Sequence, residues 1–296
     1  MFSVVIPTWN NLDYLRLCIE SIISNSRYVD RVLVHVNEGL DGTIEWLKTQ
    51  DVSISYSPDN LGVCLSVNYL ASRVQSDWLI YANDDMYFPP DWDVPFAEYI
   101  KRRSEKNNFV LFSNLVEPLS TSNPNVIFKD FGSSPNEFRS LDFCKYTTNR
   151  SHSQSFKRGD SQPTVISREL WALVGGYSIE YSPGMASDPD LLMKLSLVGC
   201  VDFLILEGSM VYHFATRSTN RIKKNKGSRM FVQKWGLSVK EFKNRSSSFH
   251  NESLGKNLSL PHSSFQGRFK RVVYGWFGDV PLSDLRRLAL DVKQLK

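Results

Sequence analysis

Cysteine is scarce and scattered: the chain of 296 residues has four, Cys18, Cys64, Cys144 and Cys200, and no two form a Cys-x-x-Cys pair. A disulfide framework is therefore not expected, and thiols lying mostly in apolar runs read as reduced core residues of a cytoplasmic protein. Long hydrophobic runs are also missing, since none approaches the roughly 20 residues that span a bilayer. Met1-Phe2-Ser3 leads straight into a strand-like run without a basic start, so no secretory leader is expected. No internal repeat recurs. The loop after the first strand-like run has no glycine, which argues against the Gly-rich phosphate loop of a sugar-phosphate nucleotidyltransferase.

What remains is ordinary for a globular protein: 42% apolar and 22% charged residues, enough for one large domain plus an appendage. The net charge of +4 hides an asymmetry. From Arg217 to Lys296 there are 18 Lys and Arg against 5 Asp and Glu, so the rest of the chain sums to −9. A basic end on an acidic body suits an anionic partner such as phosphate, a lipid headgroup or nucleic acid. A solvated basic face explains it equally well. No recognised nucleic-acid module accompanies the charge, and Phe231, Trp235 and Phe242 read as core residues, so nucleic acid is not expected as a partner.

Along the first half, strand-like and helix-like segments alternate. Residues 2–7 read as a strand, 12–23 as a helix with an Asn cap from the Asn10-Asn11 turn, 31–36 as a strand, and 43–47 as a short helix. A third strand, 52–56, and a helix over 63–74 follow, separated by the turn-rich Ser57-Pro58-Asp59-Asn60-Leu61-Gly62. Such alternation predicts a parallel sheet wrapped by helices, with functional loops on one edge. Residues 109–112 read as a strand, whereas 117–163 is polar and without period, and is expected to shape an acceptor pocket. Strand 164–167, helix 168–174, a loop through Asp190, helix 191–198 and a last sheet segment over 201–206 complete the body. The final stretch, with Leu282, Leu285, Leu288, Leu290 and Val292 among basic residues, suits an amphipathic helix that packs on the body, on a partner or on a membrane surface.

The chain is organised around Trp78-Leu79-Ile80-Tyr81-Ala82-Asn83-Asp84-Asp85-Met86. A short apolar run ends in two adjacent carboxylates, and a central strand would deliver them to the crevice at the carboxyl ends of an open α/β sheet. Two carboxylates held together favour a nearby cation, and hard oxygen ligands suit Mg2+ or Mn2+. A solvated turn would need the same residues, so the pair is informative only in company.

That company exists. Val5-Ile6-Pro7-Thr8-Trp9-Asn10, then Pro58-Asp59-Asn60-Leu61-Gly62, then Asn83-Asp84-Asp85-Met86, Gly175-Gly176-Tyr177, Ser187-Asp188-Pro189-Asp190-Leu191 and Val211-Tyr212-His213-Phe214 together resemble the family 2 glycosyltransferases of the GT-A fold. The resemblance covers about residues 1–216. It implies an α/β, Rossmann-like mixed sheet flanked by helices, with a nucleotide-binding part (about 1–115), an acceptor part (about 116–216) and a basic, mainly helical extension (217–296).

The resemblance also implies roles. Pro7, Thr8 and Asn10 would cradle the nucleotide base, Asn60 would touch the nucleoside, and Asp84 would lie near the ribose and metal. Asp85 would ligate a divalent Mn2+ or Mg2+ on the donor diphosphate, with His213 as a further ligand. Asp188, or its neighbour Asp190, would act as the base of an inverting displacement. Spacing alone does not choose between those two, because Asp190 could instead cap a helix. Arg217 and the basic run to Lys226 would close over the diphosphate. Two departures stand out. Asn37 or Glu38 takes the place of the usual base-reading Asp, leaving base identity open, and Ser187 replaces an acidic residue beside Asp188.

The expected activity is transfer of a sugar from a nucleotide-diphosphate donor to a glycan or lipid-linked glycan in cell-surface polysaccharide assembly. The setting would be cytoplasmic, with peripheral contact at the inner face of the membrane through the basic end. The competing readings are a sugar-phosphate nucleotidyltransferase and a non-catalytic scaffold that kept the fold.

Overall fold

A computed structural model describes residues 1–103, 108–121, 123–148, 155–200, 202–216, 226–242 and 265–277. The chain divides into two compact units. The first comprises Met1–Leu61, Ser66–Glu169 and Asp202–Ser218, and the second Gly62–Leu65, Leu170–Val201 and Thr219–Lys296.

The first unit is built on one mixed sheet. Its strands are β1 (Phe2–Trp9), β2 (Val29–Asn37), β3 (Ser53–Ser57), β4 (Trp78–Tyr81), β5 (Met86–Tyr87), β6 (Phe109–Glu117), β7 (Val126–Phe128), β8 (Phe156–Arg158), β9 (Thr164–Ser167) and β10 (Asp202–His213). The main path runs β3-β2-β1-β4-β9-β6-β10-β5, with β7 beside β6 and β8 beside β10. Strands β1 to β4 pair in parallel, as the alternating pattern predicts. Beyond them β9 runs antiparallel to both β4 and β6, which makes the sheet mixed.

Strand β1 is a rigid mount. Phe2, Val4, Val5 and Ile6 have no exposed surface, so both faces of the strand are covered, as a central parallel strand requires. Burial of each such side chain contributes about 1.5–3 kcal/mol, and together they fix where the strand's end delivers Thr8. Helix α1 (Leu12–Asn25) supplies Leu15, Cys18, Ile19 and Ile22 to the same core. Its N-terminus departs from expectation. Asn11 makes no capping hydrogen bond, and the Asp41 carboxylate, from a different loop, accepts from the Leu12 N–H at 2.8 Å.

Four further expectations need correction. The segment 117–163, expected to be irregular, contains β7, helix Ser140–Thr148 and β8. Strand β6 continues to Glu117 rather than stopping at Phe112. The last sheet segment is a single strand, β10, with a register shift between Leu206 and Met210. In the second unit the helix expected from Leu191 begins at Ser187, so Asp188 and Asp190 lie in its first turn. Pro189 does not prevent this, because the first turn of a helix needs no N–H partner there.

Around the far end of β10 a second core gathers Tyr87, Val116, Phe131, Phe143, Tyr212 and Phe214. Tyr212 ties it to the loop after β7, accepting from the Phe131 N–H at 3.0 Å and donating to the Gly132 carbonyl at 2.8 Å.

The second unit centres on helix Ser187–Leu197 and helix Gly227–Trp235. Helix Phe265–Phe277 packs on the latter, with Gln233 donating to the Tyr274 carbonyl and Arg271 donating to the carbonyls of Gln233 and Lys234. Among the described residues no helix is long and apolar enough to cross a membrane.

Candidate active site

The carboxyl ends of β1, β2, β3 and β4 carry the first cluster. The Thr8 hydroxyl donates to Asp84 at 2.7 Å, joining the end of β1 to the loop after β4. Asn10 donates to Glu38 at 2.9 Å, and its carbonyl oxygen accepts from the Leu40 N–H at 2.8 Å. Pro7 sits within β1, in register with His35. Asn37 is buried, and its amide is taken up: it donates to the Thr8 carbonyl and to Ser66, and accepts from the Leu61 N–H at 2.9 Å. Asn37 thereby locks together the loops after β1, β2 and β3. Glu38 is left as the partly exposed carboxylate on that rim. Asn60 is partly exposed beside Leu61.

The second cluster stands where β10 meets β5. The Asp85 carboxylate is buried, with one oxygen accepting from both the backbone N–H and the hydroxyl of Thr216 at 2.9 Å. Its other oxygen is 3.2 Å from His213 Nε2. The opposite ring nitrogen, Nδ1, lies 2.7 Å from Glu117. Burial alone would raise the Asp85 pKa, but the His213 charge and hydrogen bond, with the Thr216 donors, outweigh it and hold the carboxyl at about 2. Burial also opposes a charge on His213. The Asp85 charge and the hydrogen bonds that the ring donates to both carboxylates override it and raise the imidazole to about 10.

Among the described residues no three His, Cys, Asp or Glu side chains form a ready metal cage. Mg2+ and Mn2+ seldom need one when substrate phosphates complete the shell, so one or two side chains suffice. Asp85 and His213 fit that pattern. They are close enough to serve one ion, and the second nitrogen of the imidazole already has a carboxylate partner, as metal-ligating histidines usually do. Glu117 opens a polar stretch without period and carries no local sequence signal of its own. Only the length of β6 and its pairing with β10 reveal it.

In the second unit the two candidate bases differ sharply. Asp190 has no exposed surface, and it accepts from Ser178 at 2.5 Å, from the Trp235 indole at 2.8 Å and from Lys234 at 2.9 Å. Asp188 is exposed and accepts from the Tyr177 hydroxyl at 2.6 Å. Ser187, in place of an acidic residue, closes a turn by donating to the Gly184 carbonyl at 2.6 Å.

Two glycines set the approach to Asp188. Gly62 has φ +76°, and a Cβ there would lie 2.5 Å from Pro183 Cα. The next residue, Val63, donates its N–H to the Pro183 carbonyl at 2.9 Å. A Cβ on Gly227 would lie 1.8 Å from the Met185 carbonyl oxygen. The loop ahead of Asp188 thus presses on backbone that only glycine leaves clear. Gly62→Ala is expected to cost about 2 kcal/mol or more, because it adds left-handed strain to a backbone clash. A melting midpoint within 2 °C of the parent would contradict this.

Backbone strain marks the same places. Among the described residues, five non-glycine positions have positive φ: Asn10, Glu38, Asp91, Ala186 and Ala215. Asn10 and Glu38 are themselves candidate residues, and Ala186 and Ala215 each lie two residues from one, Asp188 and His213; such conformations concentrate at functional sites. Arg217 and the basic run as far as residue 225 lie outside the described residues.

The mixed sheet flanked by helices is that of the GT-A glycosyltransferases. Solved structures of that class share the fold. GalNAc-T7 with UDP, GalNAc and Mn2+ matches with a TM-score of 0.58 at 15% identity, over 95% of this chain and 58% of that one. S. aureus TarS 1–349 gives 0.57 at 13% identity, over 99% and 89%. The mannosyltransferase PcManGT from Pyrobaculum calidifontis, with GDP-Man and Mn2+, gives 0.50 at 13%, over 99% and 80%. At these identities the likeness is one of fold. No curated protein matches the sequence. Residues 3–114 match the model of glycosyl transferase family 2. The match ends before Glu117, Asp188 and His213.

Proposed function

We propose that the protein transfers a sugar from a nucleotide-diphosphate donor to a hydroxyl of a glycan or lipid-linked glycan, with inversion at the sugar carbon. The observation that carries this reading is the segment matching family 2, in which the loop after β4 carries Asp84 and Asp85, with Asp85 buried against His213. Thr8, Asn10, Glu38 and Asn60 would hold the nucleoside, with Asp84 at the ribose. Asp85 and His213 would hold a divalent cation, which when bound neutralises the charge that grows on the departing diphosphate. Asp188 takes the proton from the attacking hydroxyl, and general-base assistance of this kind contributes about 10²–10⁴ in rate. Its exposure and its place in the first turn of a helix support that choice, whereas Asp190 is engaged on every side. Arg217 would add charge-assisted contacts to phosphate. The basic C-terminal stretch suits contact with an anionic membrane surface, where lipid-linked acceptors for cell-surface polysaccharide are found.

The neighbours in fold were crystallised with UDP, UDP-GlcNAc, GDP-Man and Mn2+, which recommends the first donors to try. Incubation with UDP- and GDP-sugars, with and without Mn2+, should release nucleoside diphosphate with one donor strongly preferred, and EDTA should stop it. Release of pyrophosphate instead would indicate nucleotidyl transfer. No turnover and no nucleotide binding across the panel would favour a scaffold.

A further inference from the structure

Glu117 is the last residue of β6, is 8% exposed, and belongs to none of the motifs by which the chain was read. The pairing of the sheet explains its partner. Strand β10 lies between β6 and β5, in parallel register with β6 up to Tyr212 opposite Val116, and antiparallel to β5 with His213 opposite Met86. One step beyond Val116 brings Glu117 alongside His213, while Asp85 immediately precedes Met86 on the other side. A row of carboxylate, imidazole and carboxylate therefore crosses three adjacent strands.

Each member has a defined contact. Glu117 Oε1 is 2.7 Å from His213 Nδ1, and His213 Nε2 is 3.2 Å from Asp85 Oδ1. Thr216 occupies Asp85 Oδ2 with two donors, and Asn83 Nδ2 lies 3.5 Å from His213 Nε2. The two ring nitrogens point apart, so Glu117 cannot reach an ion held at the Asp85 side. It cannot be a third ligand there, and its carboxylate is already engaged.

We infer that Glu117 is a positioning residue for His213. Its contact with Nδ1 fixes the plane of the ring so that Nε2 faces Asp85 Oδ1. This rests on the proposal that Asp85 and His213 hold the cation. The 3.2 Å contact between Oδ1 and Nε2 keeps both groups within reach of one ion, which would displace the Nε2 proton as it binds. Rotation of the ring would spoil that contact. Without Glu117 the imidazole keeps only its Asp85 side and can swing, so the cation would meet one fixed ligand and one mobile one.

The test measures Mn2+ binding to the full chain by the loss of free-ion EPR signal, with Mn2+ alone and with saturating UDP or GDP. The nitrogen coupling of bound Mn2+ is followed by electron spin echo modulation. Glu117→Ala should weaken Mn2+ about 10–100-fold and diminish the histidine nitrogen modulation, the scale on which partners of metal-bound histidines act. Glu117→Gln, which keeps the shape and a hydrogen-bonding group, should lose less than Glu117→Ala and retain more of the modulation. If Glu117→Ala does not fold, Glu117→Gln decides, and parental affinity with parental modulation in it overturns the inference. Asp85→Asn and His213→Ala separate the two levels. If both bind Mn2+ as the parent does, or the parent binds none, the cation proposal itself fails. If both lose Mn2+ while Glu117→Ala binds normally, only the role of Glu117 falls.

Discussion

Asp85→Ala is expected to lower kcat/KM by about 10³-fold or more and to remove its dependence on Mn2+. The size follows from what the carboxylate is asked to do. A cation opposite a departing diphosphate stabilises the transition state by several kcal/mol, and each 1.36 kcal/mol is a factor of ten in rate. The protein should survive the change. His213 retains Glu117 at 2.7 Å, so no buried imidazolium is left without a partner, and the groups released are the N–H and hydroxyl of Thr216. Leaving such donors unsatisfied costs about 1–3 kcal/mol, which lowers the melting midpoint without abolishing the fold. Steady-state rates across a Mn2+ titration, with a thermal melt beside them, measure both effects. A variant within tenfold of the parent and still stimulated by Mn2+ would remove Asp85 from the site.

The pair Asp188→Asn and Asp190→Asn should separate chemistry from architecture. Asp188→Asn is expected to reduce kcat by about 10²–10⁴ while leaving nucleotide affinity and melting midpoint close to the parent's, because the side chain is exposed and its partner Tyr177 can still donate to an amide oxygen. Asp190→Asn should behave in the opposite way. Its carboxylate faces Lys234, whose side chain is 1% exposed, and removing one partner of a buried pair costs about 3–5 kcal/mol. Glu180 also holds Lys234, at 2.9 Å, which places the expected loss near the lower end. The melting midpoint then falls by several degrees, while the folded fraction retains turnover at low temperature. A folded but inactive Asp190→Asn beside an active Asp188→Asn would reverse the assignment.

Lys234 and Trp235 belong to the basic stretch that composition marks as different in kind. In the structure they are structural partners of Asp190, within the same unit. Nothing in a count of charges could have said so, because a buried Lys and a solvated Lys read alike in sequence. The same blindness affects Asn37, whose amide is consumed between the Thr8 carbonyl, Ser66 and the Leu61 N–H. It also affects Asn11, whose expected capping role passes to Asp41, 30 positions further on. Long-range hydrogen bonds leave no local period.

Other features were legible for physical reasons. Strands β1 to β4 are short, β-branched or aromatic runs between turn residues, and the pairing of β1 with β2 and β4 puts the end of one apolar run, Trp78–Tyr81, beside the end of another. That is why Asp84 could be expected near Thr8, to which it is joined at 2.7 Å. The far half was harder. Elements of three residues such as β7 and β8 are too short to show a period, and Ser187-Asp188-Pro189-Asp190 has the composition of a turn although it opens a helix. Glu117 was hidden by a boundary: β6 runs five residues past Phe112, and its last residue carries the contact to His213.

The central claim is that Asp85 holds a cation against a nucleoside diphosphate. A crystal grown with UDP or GDP and Mn2+, with diffraction recorded at the manganese absorption edge, tests it most directly. The account predicts one anomalous peak within about 2.0–2.4 Å of an Asp85 carboxylate oxygen and of His213 Nε2, in contact with the diphosphate. A bound nucleotide whose manganese peak lies away from Asp85, with Asp85 still paired to His213, would contradict it.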